Sequence, residues 1–321
     1  LLLYVRMMFT MLVSIYTSRV ILDVLGIDDY GLYQTVGGIV GFLAFINGAL
    51  SAGSSRFITF ALGENNENKL KETFSTTFLI HLALAFVVVI LAETIGSWFL
   101  YYKLQIAQER MDAAVYVFHL SVITAFLNLV QTPFSAVIIA REKMAIYAYV
   151  SIFEVSLKLL IVYLLLLGNF DKLVLYATLL CILQIGLIWF YLFYCRYKFH
   201  EVRFSVSCNP SVLRKLLGYS GWNLLGSISV ALNDQGILIL LNMFFNPTVV
   251  ASRAVSLQVK MAAVQFVNNF RTAVNPQIIK KYAAHDEAGS RKLLLSSTKY
   301  SFYLMLILGV PICLMADSIL H

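Results

Sequence analysis

Charged residues are scarce in this sequence. Asp, Glu, Lys and Arg make up 13% of its 321 residues, whereas soluble domains usually carry about 25%. Hydrophobic residues make up 60% and aromatic residues 14%. This composition excludes a water-soluble globular enzyme. It also excludes a disordered chain, which needs many charges and few aromatic residues to stay solvated. An integral membrane protein is the class that remains.

The sequence also lacks the common motifs of nucleotide sites, metal sites and catalytic nucleophiles. No GxxxxGK(S/T) loop is present, which excludes transport driven by ATP bound to this chain. No HExxH, His-rich or GxSxG pattern occurs either. The cysteines show no CxxC spacing and are interpreted as ordinary apolar or loop residues; they are Cys181, Cys195, Cys208 and Cys313. We therefore predict no enzyme, no catalytic residue, no metal and no cofactor.

Long uncharged runs are what the sequence does have. They include Tyr30–Ser55, Thr73–Ala92, Ala113–Ala140 and Leu173–Cys195, and a helix needs about 20 mostly apolar residues to cross a bilayer. No segment shows the two-residue alternation of a membrane strand, so an all-α membrane protein is predicted rather than a barrel. We predict nine spans, near 2–22, 30–61, 73–95, 114–140, 144–167, 173–195, 217–241, 250–275 and 298–316.

The basic residues outside these spans predict the orientation. Fifteen Lys and Arg residues fall on one side and five on the other, and the richer side is normally cytoplasmic. The N-terminus is therefore predicted to be cytoplasmic and His321 to lie outside. Because this topology accounts for the formal net charge of +7, no nucleic-acid partner is predicted.

An internal repeat predicts the domain organisation. A shift of 219 residues superposes two three-helix modules by spacing, with few identities. Both modules start on the same side, so the repeat is parallel. We predict an N-terminal six-helix bundle at 1–195, a cytoplasmic linker at 196–217, and the first three helices of a second bundle at 218–321. The chain starts within a hydrophobic segment and stops after a span, so we expect a fragment whose second bundle is incomplete.

Three segments carry a family resemblance. The stretch SRVILDVLG at Ser18–Gly26, the stretch DYGLYQ at Asp29–Gln34, and Gly48 followed by Ser54-Ser55-Arg56 resemble polysaccharide flippases of the multidrug/oligosaccharidyl-lipid/polysaccharide exporter superfamily. The resemblance implies a MATE-like exporter fold of two six-helix bundles that works by alternating access. It also implies flipping of an undecaprenyl-pyrophosphate-linked oligosaccharide to the outer leaflet, for cell-surface polysaccharide or lipopolysaccharide (O-antigen) biosynthesis.

The resemblance also implies the partners and the location. The partners are the lipid-linked oligosaccharide, membrane lipids, H⁺ or Na⁺ as a coupling ion, and the polysaccharide polymerase machinery. The location is the bacterial inner membrane. A multidrug/cation antiporter of the same superfamily is the neighbouring alternative. A membrane-embedded oligosaccharide polymerase or ligase is the alternative from another class, but it needs a large outer loop, and the longest outer stretch is only Gly96–Asp112.

Polar residues share one face on four of the predicted helices. At 100° per residue, the first, second, seventh and eighth spans each carry such a face, and these spans are equivalent in the two halves of the repeat. The alternatives are a water-filled cavity between the bundles and polar packing between helices; repeat equivalence favours the cavity. The candidates are Arg6, Thr10, Thr17, Asn47, Ser51, Asn223, Ser227, Asp234, Gln265 and Asn269.

Charges on these helices need a reason, because each costs at least about 2.5–3.5 kcal/mol at bilayer depth. Arg6 is a candidate for binding a pyrophosphate headgroup. Arg56, Lys260 and Arg271 are additional candidate cations, and snorkelling to the interface is the alternative for Arg56 and Arg271. Asp234 is a candidate for ion coupling, for substrate contact or for pairing with Lys260.

Local signals complete the prediction. Glu154 and Lys158 are four residues apart in the order that favours an intrahelical ion pair. Pro133 is predicted to interrupt the fourth span and Pro276 to end the eighth.

Overall fold

The computed structural model describes residues 2–102, 104, 106–167, 171–199, 202, 209–231, 233, 237 and 247–314. For some helical residues among them, including 41–46 and 247–255, it describes the backbone alone. Regular structure in these ranges is helical throughout. Nine α-helices follow one another: α1 Leu2–Gly63, α2 Glu67–Leu91, α3 Ser97–Tyr102, α4 Met111–Ala140, α5 Met144–Leu164, α6 Lys172–Lys198, α7 Pro210–Ala231, α8 Pro247–Ala283 and α9 Glu287–Leu314.

Six of the helical segments are long and apolar enough to cross a membrane, counted over the residues that the structure describes. They are Leu2–Gly26, Glu67–Tyr102, Gln108–Ala140, Met144–Leu164, Lys172–Lys198 and Glu287–Pro311. Of the other three predicted spans, the second lies in the second part of α1, the eighth lies in α8, and residues 217–231 of the seventh lie in α7. These three spans carry predicted polar faces.

Gly26 divides α1 into two spans. Its φ of 79° and ψ of 170° are the only non-helical backbone angles inside α1, and this region is essentially restricted to glycine. The two spans predicted at 2–22 and 30–61 are therefore joined by a single-residue break.

Replacing Gly26 by alanine is expected to lower the free energy of unfolding by about 1–3 kcal/mol, because alanine is strained at these angles. Gly31 is the control, since it lies in the same helix with nothing within 4 Å of an added Cβ and with no positive φ. Gly31→Ala is expected to leave stability unchanged or slightly raised. Denaturant unfolding in detergent measures both variants, and equal effects of the two would contradict this account.

Two predictions about proline were wrong. Pro133 lies inside α4, which continues to Ala140, and Pro276 lies inside α8, which continues to Ala283. Membrane helices tolerate proline because neighbouring helices and hydroxyl side chains satisfy the freed backbone groups. Thr132 and Ser135 flank Pro133 and donate hydrogen bonds to the carbonyls of Asn128 and Thr132, neither of which is the Leu129 carbonyl that Pro133 leaves without an amide partner.

α4 lies at the centre of the first half of the chain and packs against α1, α2 and α6. Phe134 of α4 is fully buried, and its ring meets those of Phe74 and Phe78 edge-on at 5.6 and 5.8 Å. Ser54 and His81 are also fully buried and form a 2.8 Å hydrogen bond between α1 and α2. This core fixes the second part of α1 against α2 and α4.

The turns between helices gather at two ends of the bundle. At one end, Arg110 forms ion pairs with Asp29, just after Gly26, and with Asp171, which caps α6. At the other end lie the turns at 64–66, 141–143 and 284–286, joined by a Lys280–Glu142 ion pair and by a close contact between Gly63 and Ala283. We call this the basic end, because Lys and Arg residues are concentrated near these turns.

The turns after α1 and after α8 have the same structure. Asn65 and His285 both adopt a left-handed backbone, with φ of 57° and 60°. Asn66 accepts hydrogen bonds from backbone amides at the start of α2, and Asp286 does so at the start of α9. The equivalent residues lie 220 positions apart in the sequence, one more than the shift of 219 that spacing predicted.

Candidate functional site

A cavity of about 890 Å³ lies between the two halves of the chain, next to the basic end. Most of its walls come from the second part of α1, from α7 and from α8. Its lining residues are Gly48, Ser51, Ala52, Ser55, Arg56, Thr59, Phe60, Ile139, Tyr219, Asn223, Arg271, Thr272, Asn275, Pro276, Ile278, Ile279, Tyr282, Ser290 and Leu294. Several polar residues and two arginines therefore face a space inside the helical region.

Residues of α1 and α8 that line the cavity are equivalent in the repeat. At the spacing of 220 residues, five residues of α1 correspond to five residues of α8; the pairs are Ser51 with Arg271, Ala52 with Thr272, Ser55 with Asn275, Arg56 with Pro276, and Thr59 with Ile279. Residues that correspond in two halves and face one another are the mark of a local twofold axis. The cavity therefore lies on that axis.

The axis ends in a close contact at the basic end. A Cβ added to Gly63 would lie 2.7 Å from the Cβ of Ala283, and 2.8 and 2.9 Å from backbone atoms of Lys280. Gly63 and Ala283 are themselves equivalent in the repeat. Glycine is required at this point because any larger side chain would collide with the backbone of α8.

The charges that line this cavity are positive. Arg56 and Arg271 both have exposed side chains, and the guanidinium of Arg56 lies 4.6 Å from the centre of the Tyr219 ring, within cation–π range. Among the lining residues that the structure describes, none is an aspartate or a glutamate. This arrangement suits an anion, since guanidinium groups bind phosphate and carboxylate oxygens through paired donors.

Four of the predicted residues come together here, two from the polar faces and two of the additional candidate cations. Ser51 and Asn223 line the cavity with Arg56 and Arg271. Both arginines are thus among the residues that line the cavity. Ser227 lies one turn beyond Asn223 and donates a 3.0 Å hydrogen bond to its carbonyl.

Arg6 lies elsewhere, between three helices. Its Nη2 donates a 2.8 Å hydrogen bond to the side chain of Asn269 in α8, and its Nη1 donates a 3.4 Å bond to Ser151 in α5. The guanidinium also lies 4.8 Å from the centre of the Tyr147 ring. Two predicted residues are therefore in contact, Arg6 and Asn269, but neither lines the cavity.

Asn47 also does not line the cavity. Its side-chain oxygen accepts a 3.1 Å hydrogen bond from Thr132 of α4, so it serves the polar packing between helices that was the alternative to a cavity. A helical wheel drawn at 100° per residue could not separate Asn47 from Ser51, because the directions of their side chains differ by less than the width of the polar face.

The remaining predicted residues have no common site. Thr10 donates a hydrogen bond to the carbonyl of Met7, and Thr17 is buried in α1. Gln265 and Lys260 have exposed side chains on α8. Asp234 lies outside the described residues.

Sequence reasoning missed the aromatic residues of the cavity. Tyr219 and Tyr282 both line it, and neither was a candidate because only polar and charged residues were compared. Tyr219 lies one helical turn before Asn223, so including tyrosine in the comparison would have placed it on the same face.

Over the residues that the structure describes, the chain is therefore an all-helical membrane protein with a cavity between α1, α7 and α8 that is lined by two arginines. The family model named MatE matches residues 3–164, about half of the chain, and the chain belongs to the MatE family. MatE proteins are transporters and not enzymes, so the polymerase or ligase alternative is excluded. No curated protein matches the chain.

Solved structures show the same fold. A MATE structure in the straight conformation has a TM-score of 0.79 at 15% identity, covering 99% of this chain and 72% of that one. An outward-facing multidrug resistance MATE transporter of the MOP superfamily has a TM-score of 0.80, with the same identity and coverage. A MOP superfamily transporter from Pyrococcus furiosus, described by the reverse polarity of its binding pocket, has a TM-score of 0.78 at 14% identity, with coverage of 99% and 72%. The predicted MATE-like fold is thus confirmed.

Proposed function

We propose that this transporter is a flippase for an anionic lipid-linked oligosaccharide of the undecaprenyl-pyrophosphate type. The observation that carries the proposal is the charge of the cavity on the axis. Arg56 comes from the first half and Arg271 from the second, and no acidic residue is among the lining residues. A pyrophosphate headgroup needs fixed positive charge of this kind to leave water, because an unpaired anion in a low-dielectric site is costly.

The other lining residues supply what a sugar needs. Ser51, Asn223, Thr272 and Asn275 offer hydroxyl and amide groups that both donate and accept hydrogen bonds. Tyr219 adds an aromatic ring that can pack against the apolar face of a sugar. The cavity thus combines anion-binding and carbohydrate-binding groups.

The position of the arginines also supports a role in the transport cycle. Each half of the chain supplies one of them, so an anion bound to both is held by both halves. While such a ligand is bound, it attracts the two halves to each other, and this attraction is lost when the ligand is released. Alternating access by rocking of two halves requires a difference of this kind between the loaded and the empty states.

The remaining predictions enter here as proposals. We place the protein in the bacterial inner membrane with the basic end in the cytoplasm, since the basic loops gather there. We retain an N-terminal bundle up to about residue 195 and a second bundle that now begins with α7 at Pro210. Asp234 is retained as a candidate for coupling to H⁺ or Na⁺, for substrate contact or for pairing with Lys260, Lys260 as an additional candidate cation, and the polymerase machinery as a partner in polysaccharide biosynthesis.

A multidrug/cation antiporter is the second candidate. It is favoured by the outward-facing multidrug resistance transporter among the structures with the same fold. An organic cation is usually paired with a carboxylate in a membrane site. The lining of the described cavity has none, and this is why the anionic substrate is preferred.

The test is rescue of surface polysaccharide in a flippase-deficient bacterium, with the protein expressed from its complete gene. Arg56→Ala and Arg271→Ala are each expected to reduce transport about 10- to 100-fold, since a hydrogen bond to a charged group is worth about 1.5–3 kcal/mol. Arg214→Ala is the matched control, because Arg214 is an exposed arginine of α7 outside the cavity. It should rescue like the parent at equal abundance by blot.

Other outcomes separate the candidates. Rescue by the parent and equally by both arginine variants would support a flippase but remove the cavity arginines from substrate binding. Failure of the parent to rescue, together with acquired resistance to cationic drugs, would establish the antiporter instead.

A further inference from the structure

Glu142 is an acidic residue in a basic turn. It lies between Arg141 and Lys143 in the connection from α4 to α5, and its φ of 58° is in the left-handed region. A residue other than glycine adopts this region infrequently. Sequence analysis counted the two flanking cations as orientation signals and gave Glu142 no role.

The side chain of Glu142 reaches across to the second half of the chain. Its Oε1 accepts a hydrogen bond from Lys280 Nζ at 2.6 Å, and its Oε2 accepts one from Gln277 Nε2 at 3.2 Å. Both partners are on α8. The Glu142 and Lys280 side chains are 32% and 25% exposed, so the pair is partly shielded from water.

The charge of Glu142 is stabilised in this arrangement. Burial raises the pKa of its carboxyl, but the hydrogen bonds from Lys280 and Gln277 and the positive charge of Lys280 outweigh burial, so the pKa is lowered. The carboxylate is therefore ionised at neutral pH, and the ion pair is fully formed there.

The pair lies at the end of the cavity, beside the contact on the axis. Lys280 forms the ion pair and also supplies the backbone atoms that approach Gly63 most closely. The two contacts together join the halves at the basic end.

We propose that Glu142 is a gating residue, whose ion pair with Lys280 forms when the cavity is closed at the basic end and breaks when it opens there. Rocking of two halves about a site between them must separate α8 from the α4–α5 turn at one stage of the cycle. Glu142 then adds to the stability of the closed state alone. The proposal rests on the transporter class and not on the proposed substrate.

A cysteine in the cavity tests the proposal. Ala52 lines the cavity, and Ala52→Cys is introduced after the four native cysteines are replaced by alanine. Membrane vesicles of both orientations are treated with a membrane-impermeant thiol reagent without added substrate, and the rate of labelling from each side is measured.

Glu142→Gln and Lys280→Gln are each expected to raise the labelling rate from the basic end about three- to tenfold. The closed state then loses a stabilisation that lies between the values of an exposed ion pair and of a partly shielded one. The double variant Glu142→Lys with Lys280→Glu restores the attraction and is expected to return the rate toward that of the parent. This reversal excludes misfolding as the cause of the single-variant effects.

Asp286→Asn is the matched control. Asp286 forms a 3.0 Å ion pair with Lys281, but Lys281 lies in the last turn of α8 and Asp286 directly before α9, so the pair stays within one half. Asparagine can still cap α9, and the labelling rate should not change.

The proposal is overturned if both single variants label like the parent, if the swapped pair labels as fast as the single variants, or if Asp286→Asn matches them. None of these results bears on polysaccharide rescue, because no substrate is present in the labelling experiment. Loss of polysaccharide rescue in the Arg56 and Arg271 variants, in turn, does not test the proposed role of the Glu142–Lys280 ion pair.

Discussion

Replacing Gly63 by valine is expected to abolish transport while the protein still reaches the membrane. The added Cβ would lie 2.8 and 2.9 Å from backbone atoms of Lys280 and 2.7 Å from Ala283, distances at which α1 and α8 must move apart. A backbone neighbour cannot give way as a flexible side chain can. The closed state at the basic end is then lost, and the transporter remains open on that side.

The reporter Ala52→Cys also measures this prediction. Labelling from the basic end should become fast and insensitive to Glu142→Gln, because the gate cannot close in either background. Gly186→Val is the control, since Gly186 of α6 has nothing within 4 Å of an added Cβ and should leave labelling and transport unchanged. Normal transport by Gly63→Val would show that the halves do not need this contact.

Replacing Arg6 by alanine is expected to weaken the attachment of α1 to α5 and α8 by about 2–3 kcal/mol, the value of one to two hydrogen bonds from a charged donor. The variant loses its bonds to Asn269 and Ser151 and its contact with the Tyr147 ring. Arg6→Lys should recover part of the loss, because lysine keeps the charge but not the planar pair of donors. Denaturant unfolding in detergent provides the measurement.

A double-mutant cycle with Asn269→Ala measures how much of this stabilisation comes from the contact between Arg6 and Asn269. The 2.8 Å bond to Asn269 predicts a clear coupling between Arg6 and Asn269, and the 3.4 Å bond predicts a smaller one between Arg6 and Ser151. Absence of coupling to Asn269, together with loss of polysaccharide rescue at full stability, would return Arg6 to the substrate-binding role that its charge first indicated.

Local patterns in the sequence predicted local structure well. Glu154 and Lys158 form the expected pair at 2.6 Å, because both ends of that contact lie on one helix. The first, third, fourth and sixth predicted spans each fall within a helix that is long and apolar enough to cross a membrane, and the fifth and ninth overlap such helices but extend past Leu164 and Pro311. Length and hydropathy are sufficient for this purpose, since the bilayer constrains each span separately.

Contacts between helices could be predicted only in part. Ser51 and Asn223 meet in the cavity while Asn47 meets Thr132 instead, because a helical wheel gives a direction without saying which neighbour lies there. Glu142 was missed for the same reason: its partners Gln277 and Lys280 are 135 and 138 residues away. The proline predictions failed because the sequence does not show how neighbouring helices pack against α4 and α8.

The staggered heights of Arg56 and Arg271 have a consequence for the path of a charged group. The repeat partner of Arg56 is Pro276, and Arg271 lies five residues before it on α8. At 1.5 Å of rise per residue, the two arginines differ in depth by about 7–8 Å. A phosphate travelling along the axis from the basic end would reach Arg56 first and Arg271 second. Under the proposed function, a pyrophosphate that enters from the basic end would therefore contact Arg56 of one half first, and would be bound by both arginines only after it has moved deeper to Arg271 of the other half.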